Sequence, residues 1–108
     1  MLETLLQPDD VEERCGFILN DRLIVHVKNV AEDKSAGYEM DPTEALEYLD
    51  EATATWHTHP DTDPNLSGED YSGFLSWPDM EHVIIGRRAG KVVVARYKIE
   101  NGLVIACD

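Results

Sequence analysis

Basic residues are scarce in this sequence, and their scarcity limits the classes of partner. Nine Lys and Arg stand against 22 Asp and Glu among 108 residues, for a formal net charge of −13. A surface of this sign repels a phosphate backbone over most of its area, so a nucleic-acid partner is not expected. Fourteen of the acids lie in residues 1–51, which indicates a solvated acidic flank but identifies no ligand.

Cysteines and long apolar runs are also few. Cys15 and Cys107 form neither a C-x-x-C pair nor a disulfide framework, so both are expected to be reduced core residues. No apolar stretch approaches the roughly 20 residues of a membrane span. Residues 1–6 lack the basic start of a signal peptide. The sequence therefore predicts a soluble, cytoplasmic protein with no membrane partner.

The length and the turn signals predict one α/β domain over residues 1–108, with 43% hydrophobic residues to build its core. Apolar patterns predict strands at 15–19, 22–30, 52–57, 82–85, 92–98 and 103–106, with helices beginning near Asp41 and Ser67. The first two strands should form a hairpin and the last three an antiparallel meander. Strands interleaved with helices favour an α/β sandwich in which helices flank a mixed sheet.

Both predicted helices carry specific expectations. The helix that begins at Asp41 has a proline near its first position and acids in its first turn. Leu46 and Leu49 are expected to supply its inner face. Gly68 and Gly73 lie inside the second helix, where glycine costs stability relative to alanine, so they are expected to mark the close approach of another backbone.

The stretch WHTHPDTDPNLSGED, residues 56–70, is a candidate metal site. Residues i and i+2 of a strand share a face, so His57 and His59 can converge on one ion. Catalytic zinc takes three protein ligands and leaves a position for water, so one more ligand is needed. Asp70 is the expected one, because a side chain in the first turn of a helix points back toward the preceding loop and the helix dipole favours a carboxylate there.

A purely structural interpretation of the same residues stays open. Ser67 and Asp70 also fit a capping box, with serine at the N-cap and an acid at the third position of the helix. Two histidines on one strand face often simply pack or form hydrogen bonds. A hydrolytic site would further need a carboxylate base that is not a ligand. Glu12 and Glu13 are candidates because they directly precede a buried strand, and the residues alone do not choose between them.

A family resemblance adds to this interpretation. His57-Thr58-His59, seven residues, Ser67, two residues and Asp70 resemble the JAMM motif, H-[ST]-H-x7-S-x2-D, of the JAB/MPN metallopeptidases. The segment from Glu13 to Ile18, ERCGFI, resembles the E-x-C-G start of prokaryotic members. The resemblance implies that His57, His59 and Asp70 bind zinc, with water as the fourth ligand.

The resemblance also implies the remaining roles and the fold. Glu13 would be the base, in preference to Glu12, and Ser67 would stabilise the oxyanion. The fold would be the cytidine-deaminase-like sandwich of MPN domains. Members cleave peptide or isopeptide bonds, often just after a ubiquitin-like tail, or trim sulfur-carrier proteins.

Within the family, the chain is most similar to the JAMM domain of lambda-type phage tail assembly proteins. Four segments carry this likeness: 29–32, which precedes 38–42, then 65–67 and 75–78. This branch often fuses the domain to an NlpC/P60 cell-wall peptidase, and no such domain follows Asp108. A stand-alone relative or a split gene is therefore expected. Phage tail proteins would be partners, in the host cytoplasm or the virion tail.

The leading hypothesis is thus a zinc-dependent JAMM peptidase, and the alternative is a phage tail module that keeps zinc for stability and cleaves nothing. A zinc nucleoside deaminase is rejected because no C-x-x-C exists. Other conspicuous side chains are expected to be structural: His26 and His82 in the sheet and Trp56 in the core. Trp77 is a candidate for the rim of a cleft.

Overall fold

The computed structural model describes residues 2–107, and in this range six strands form one mixed sheet. A short 3-10 helix, Leu2–Leu5, comes first. The following elements are β1 (Cys15–Leu19), β2 (Ile24–Val27), α1 (Pro42–Leu46), β3 (Ala52–Thr58), α2 (Gly68–Leu75), β4 (Glu81–Arg88), β5 (Lys91–Glu100) and β6 (Leu103–Cys107). The strand order is β2-β1-β3-β4-β5-β6, and only the β3–β4 pair among these is parallel. The predicted α/β sandwich is confirmed and is consistent with an MPN-like fold.

The predicted hairpin and meander are both present. The meander turns at Ala89-Gly90 and Asn101-Gly102 have positive φ at both central residues, the conformation that two-residue hairpin turns require. The return strand β2 is shorter than the predicted 22–30, however. Arg22 has φ 71°, so the turn continues past the expected start of the strand.

The sheet buries both of its faces. One face carries Trp56, Val83 and Ile85 beneath Leu5 and Leu6. The opposite face packs against the helices in two clusters. Phe17, Leu19 and Val27 of the sheet pack with Ala45 of α1. Ile84 and Tyr97 of the sheet pack with Phe74 of α2. Because strand residues alternate between faces, Trp56 and His57 point to opposite sides. The histidine pair therefore lies on the helix-bearing face.

Three packing expectations were wrong. Leu46 is 70% exposed, because α1 ends after five residues and its last side chain extends beyond the core. Leu49 packs against the core as expected. A Cβ added to Gly68 or Gly73 would meet no atom within 4 Å, so no other backbone closely approaches either glycine. Cys107 is only partly buried, since β6 is an edge strand, whereas Cys15 is buried; both thiols are free.

Trp56 is fully buried, as predicted, and its indole N–H donates to the Val25 carbonyl at 3.2 Å. His26 is an exposed residue of β2 whose ring meets that of Trp56 edge-on. Among residues 2–107, no helix is both long enough and apolar enough to span a membrane.

Candidate metal centre

The pairing of β1 with β3 brings the upstream glutamate to the histidines. Cys15 lies opposite His57 in the antiparallel register, and Arg14 and Thr58 continue the pairing through two hydrogen bonds of 2.9 Å. Glu13 and His59 lie one position beyond this pairing, just outside β1 and β3, and their donor atoms are within 4.8 Å of each other. Glu12, one residue further from the strand, is exposed. The register thus distinguishes two neighbouring acids that the composition could not.

The start of α2 delivers the carboxylate of Asp70. Ser67 is the N-cap, and its Oγ accepts a hydrogen bond from the Asp70 N–H at 3.1 Å. In return the Ser67 N–H donates to Asp70 Oδ2 at 3.0 Å, which completes a capping box. The capping interpretation of these two residues is therefore correct. It does not exclude a site, because the same box fixes the Asp70 carboxylate beside the histidines.

Four side chains converge at this point. The Nε2 atoms of His57 and His59 are 3.1 Å apart. Asp70 places Oδ1 3.1 Å from His57 Nε2 and Oδ2 3.2 Å from His59 Nε2. The donor atoms of Glu13, His57 and His59 all lie within 4.8 Å of one another. Nitrogen and oxygen ligands about 2.0–2.1 Å from a tetrahedral zinc are separated by about 3.3 Å. The His57, His59 and Asp70 atoms are thus spaced as three ligands of one small ion would be.

The ring of His59 is oriented by the loop that follows β3. Its Nδ1 lies 3.0 Å from the Asp63 carbonyl oxygen, which can only accept, so Nδ1 carries the proton. In the neutral ring the lone pair is then on Nε2, the atom that faces His57 and Asp70. A backbone carbonyl bonded to the outer nitrogen is the common way in which proteins orient a histidine ligand.

The ring of His57 is fully buried among aromatic rings. The Tyr38 ring stacks on it at a centroid distance of 4.3 Å, and the Phe74 ring lies at 6.1 Å. Its Nδ1 is the only buried side-chain polar atom without a hydrogen-bond partner in the described part of the chain. With no acceptor at Nδ1, polar partners fix this ring only through Nε2.

Burial and the shared carboxylate set the protonation of this group. Burial lowers the pKa of His57 despite the hydrogen bond with Asp70, which favours a neutral ring able to act as a ligand. Burial also opposes charge on His59, but the hydrogen bonds with Asp70 and the Asp63 carbonyl outweigh it and raise its pKa. Burial alone would raise the pKa of Asp70, yet the two histidines and the Ser67 N–H hold it well below its usual range.

The pKa of Glu13 is shifted in the opposite direction from that of Asp70. Burial raises the pKa of Glu13 to about 7; the nearby His59 opposes this shift, and the negative charges of Asp70 and Glu69 add to it. Its backbone is fixed on both sides: its N–H donates to the Lys34 carbonyl at 2.7 Å and its carbonyl accepts from Asn29 Nδ2 at 2.8 Å. A carboxyl group held in this way can gain and lose a proton near neutral pH.

His82 is a structural histidine, as predicted. Its Nε2 donates to the Trp77 carbonyl at 3.1 Å, so its Nδ1 accepts from the Thr55 hydroxyl at 2.7 Å. The ring stacks on Phe74 at 4.2 Å. With both nitrogens bonded, His82 has no lone pair left for a metal.

Sequence reasoning assigned no role to Tyr38 or Asn29. Tyr38 lies within one of the segments that carry the phage-branch resemblance, and Asn29 begins another. Neither residue has a motif spacing that would reveal its contact with the site, because each reaches it through the folded conformation of the loop between β2 and α1.

Comparisons with known proteins found one similar sequence and similar solved structures. No protein-family model matches the chain. A protein named desampylase, from Haloferax volcanii, is 33% identical over an alignment of 89 positions, which covers 70% of this chain. The chain spans only 63% of the length of that relative.

Two solved structures share the fold. A protein from Desulfitobacterium hafniense has a TM-score of 0.76 and is 20% identical; the match covers 99% of this chain and 83% of the other chain. A protein from Salinibacter ruber matches 94% of this chain and 76% of its own with a TM-score of 0.54 and 18% identity. At such identities the likeness concerns the fold alone. The likeness to desampylase and the buried group of Glu13, His57 and His59 are both consistent with the JAMM resemblance of the motif.

Proposed function

We propose that the chain is a zinc-dependent metallopeptidase of the JAMM type, a single domain that hydrolyses a peptide or isopeptide bond. The observation that carries the proposal is the convergence of two imidazoles and two carboxylates of opposite pKa tendency. A carboxylate that stays ionised suits a ligand, and one that titrates near neutral pH suits a base. A site for structural zinc alone would need only the first kind.

His57, His59 and Asp70 would hold the zinc. Their spacing near the edge length of a zinc tetrahedron, and the Nδ1 proton of His59, fit this assignment. Zinc, when bound, supplies a Lewis acid that polarises the scissile carbonyl and lowers the pKa of a water toward about 7. As ligands, the two imidazoles must be neutral and the carboxylate ionised. The lowered pKa values of His57 and Asp70 favour this state, whereas the raised pKa of His59 means that metal binding there would compete with a proton.

Glu13 would carry the proton. Its carboxylate takes a proton from the attacking water as the carbon–oxygen bond forms, and it gives that proton to the amine as the carbon–nitrogen bond breaks. Burial raises the pKa of Glu13 above the ordinary value of a carboxyl group, and this direction suits a group that accepts a proton in the first transfer and gives it up in the second. Glu13 also lines a surface cavity of about 440 Å³.

Ser67 would stabilise the oxyanion. Its Oγ uses one lone pair to accept from the Asp70 N–H, and this bond leaves the hydroxyl proton available. A single well-placed donor toward a developing oxyanion is typically worth about 3 kcal/mol in the transition state. Ser67 would therefore serve both as the cap of α2 and as a donor to substrate.

The name desampylase indicates removal of a ubiquitin-like modifier from a protein, and we extend this to a protein substrate carrying such a modifier here. The narrower expectation, action among phage tail proteins in a host cytoplasm or a virion, is supported only by the sequence resemblance. The formal net charge of −13 is unfavourable to binding of nucleic acid.

Metal analysis and two sets of variants test the proposal. Purified protein should contain about one zinc per chain, and the double variant His57→Ala, His59→Ala should contain none. Glu13→Gln should keep the zinc and lose hydrolysis of a ubiquitin-like protein joined to a reporter by a peptide or isopeptide bond. Glu12→Gln is the matched control and should retain activity.

Each other outcome has a definite meaning. Zinc retained in the double histidine variant would refute the site. Zinc lost from Glu13→Gln would make Glu13 a ligand and not the base. Full activity of Glu13→Gln, with zinc present, would remove the proposed proton carrier. Protein that holds zinc and cleaves neither type of bond would favour the alternative, a zinc-stabilised binding module.

A further inference from the structure

A cavity of about 650 Å³ lies between α1 and α2 on the helix-bearing face of the sheet. Thr55 and His82 form part of its lining, and they are bonded to each other. The volume falls within the roughly 300–1,000 Å³ of small-ligand pockets. Because its polar lining residues Thr55 and His82 already have partners, this part of the cavity offers little to a polar ligand.

Apolar side chains form most of the wall, and two large ones are exposed to solvent. Leu46, at the end of α1, is 70% exposed, and Trp77, just after α2, is 38% exposed. Met40, Leu49 and Phe74 also line the cavity. One exposed leucine on a surface is ordinary. Two large apolar side chains from separate elements that line one cavity indicate a surface that a ligand covers.

The cavity reaches the candidate metal centre. Asp70 lines it, and the carboxylate of this residue is the one that touches both histidines. Glu39 and Glu69, both exposed, lie in the lining as well. Among the described residues that line the cavity, none is a lysine or arginine. The mouth is therefore acidic and the interior apolar.

We propose that this cavity binds a large apolar side chain of the substrate close to the scissile bond, and that Glu39 and Glu69 select a lysine or arginine beside it. The inference rests on the proposed peptidase function and specifies its substrate class. A polypeptide held at the proposed metal centre has this cavity next to it, and an apolar side chain placed there would cover the exposed surface of Leu46 and Trp77. The negative charges of Glu39 and Glu69 at the mouth would attract a cationic residue next to the apolar one in the substrate.

Binding of short peptides tests the inference without relying on turnover. Three N-acetyl dipeptide amides, leucyl-lysine, seryl-lysine and leucyl-glutamate, are titrated into the zinc-loaded protein while the Trp77 indole signal is followed by NMR. Leucyl-lysine should bind about tenfold more tightly than seryl-lysine, since most of one leucine side chain leaves water. Leucyl-glutamate should bind more weakly, and this difference should shrink as salt screens the mouth.

Variants locate the site. Leu46→Ser, which keeps the Trp77 indole as reporter, should weaken leucyl-lysine binding at least fivefold without changing zinc content. Leu103→Ser is the matched control, because Leu103 is 58% exposed on β6 and does not line the cavity. Its binding should equal that of the unaltered protein.

Equal affinity for the three peptides, binding too weak to detect, or loss of binding in Leu103→Ser but not in Leu46→Ser would each overturn the inference. Selective binding in this cavity by a protein that hydrolyses nothing would overturn the peptidase function and leave the binding site in place. Hydrolysis by a protein that binds the three peptides equally would support the peptidase function and overturn the binding site.

Discussion

The ring of Tyr38 lies against the ring of His57, with centroids 4.3 Å apart and planes inclined by 26°. His57 Nδ1 has no hydrogen-bond partner in the described residues, whereas His59 Nδ1 is held by the Asp63 carbonyl. The His57 ring is therefore oriented by packing and not by a hydrogen bond at Nδ1. Tyr38 comes from the loop before α1, which links the conformation of that loop to the orientation of a proposed ligand.

Removal of the Tyr38 ring should therefore weaken metal binding. Tyr38→Ala is expected to lower zinc affinity by roughly tenfold, the lower end of what loss of an orienting neighbour causes at metal sites. Tyr38→Phe keeps the stacking ring and should bind zinc as the unaltered protein does. Competition with a chromophoric chelator measures both affinities, and equal values for the alanine and phenylalanine variants would contradict an orienting role.

Asn29 connects that loop to the strand that carries Glu13. Its amide nitrogen donates to the Glu13 carbonyl at 2.8 Å and to the Gly37 carbonyl at 3.2 Å. Its amide oxygen accepts from the N–H groups of Ala31 and Glu39, each at 3.0 Å. One side chain thus satisfies four backbone groups.

Asn29→Asp should destabilise the fold although it barely changes the shape of the side chain. The carboxylate keeps both accepted bonds but turns an oxygen toward two carbonyl oxygens, at a cost of about 2 kcal/mol in the free energy of unfolding. Urea denaturation measures the change. Asn65→Asp adds the same charge at an exposed loop position and should have little effect. A similar loss in both variants would mean that net charge, and not the hydrogen bonds, is responsible.

Local signals in the sequence predicted most of the elements and the main part of the site. Both meander turns have a glycine at a position of positive φ, as their sequences predict, although Arg22 and Ala89 also adopt positive φ. His57 and His59 are two residues apart on extended chain and so share a face, which the spacing alone predicts. The choice of Glu13 over Glu12 is different in kind. The chemistry of the residues left both acids open, and only the resemblance of the ERCGFI segment favoured Glu13. The structure supplies a physical reason, the register in which Cys15 meets His57.

Burial was predicted less well than secondary structure. The spacing of Leu46 and Leu49 suits a helix with an apolar face, but α1 is too short to carry both into the core. Helix length depends on tertiary packing more than on propensity. The contacts of Tyr38 and Asn29 depend on a loop conformation that is likewise determined by the whole fold.

The Cys15 thiol should be almost inert in the folded protein. Burial raises its pKa to about 12, and the charges of Glu13 and Glu44 add to the shift. At pH 8 only about one thiol in 10,000 would be ionised, so a disulfide reagent should titrate Cys107 rapidly and Cys15 only after denaturation. Cys107→Ser should leave no fast-reacting thiol. Rapid reaction of Cys15 in that folded variant would contradict the burial.

The same shift has a consequence for stability. Between the ordinary thiol pKa of about 8.5 and the raised value, the folded state binds more protons at Cys15 than the unfolded state does. The contribution of this group is therefore complete below about pH 8.5 and declines as the pH rises toward 12. Denaturation at pH 7 and pH 10 should show a smaller alkaline loss of stability in Cys15→Ala than in the unaltered protein, and an equal loss would exclude the effect.

Gly73 should be replaceable with a gain in stability. A Cβ at this position has no atom within 4 Å, so alanine meets no obstruction in α2. Alanine also loses less conformational freedom than glycine when the helix forms, which predicts a gain of about 0.5–1 kcal/mol in the free energy of unfolding. Thermal and urea denaturation of Gly73→Ala measure it.

Gly16→Ala is the opposing control, because this glycine is enclosed by the sheet. A Cβ on Gly16 would lie 1.9 Å from the Val25 carbonyl oxygen and 2.7 Å from Trp56 Nε1. Relief would require movement of backbone in β2 or of the buried indole, so a loss of about 3 kcal/mol is expected. Because Trp56 and His57 are neighbours on β3, that movement should also reduce zinc affinity. A Gly16→Ala protein with normal stability and normal zinc affinity would mean that β1 and β3 are not packed as closely as their register requires.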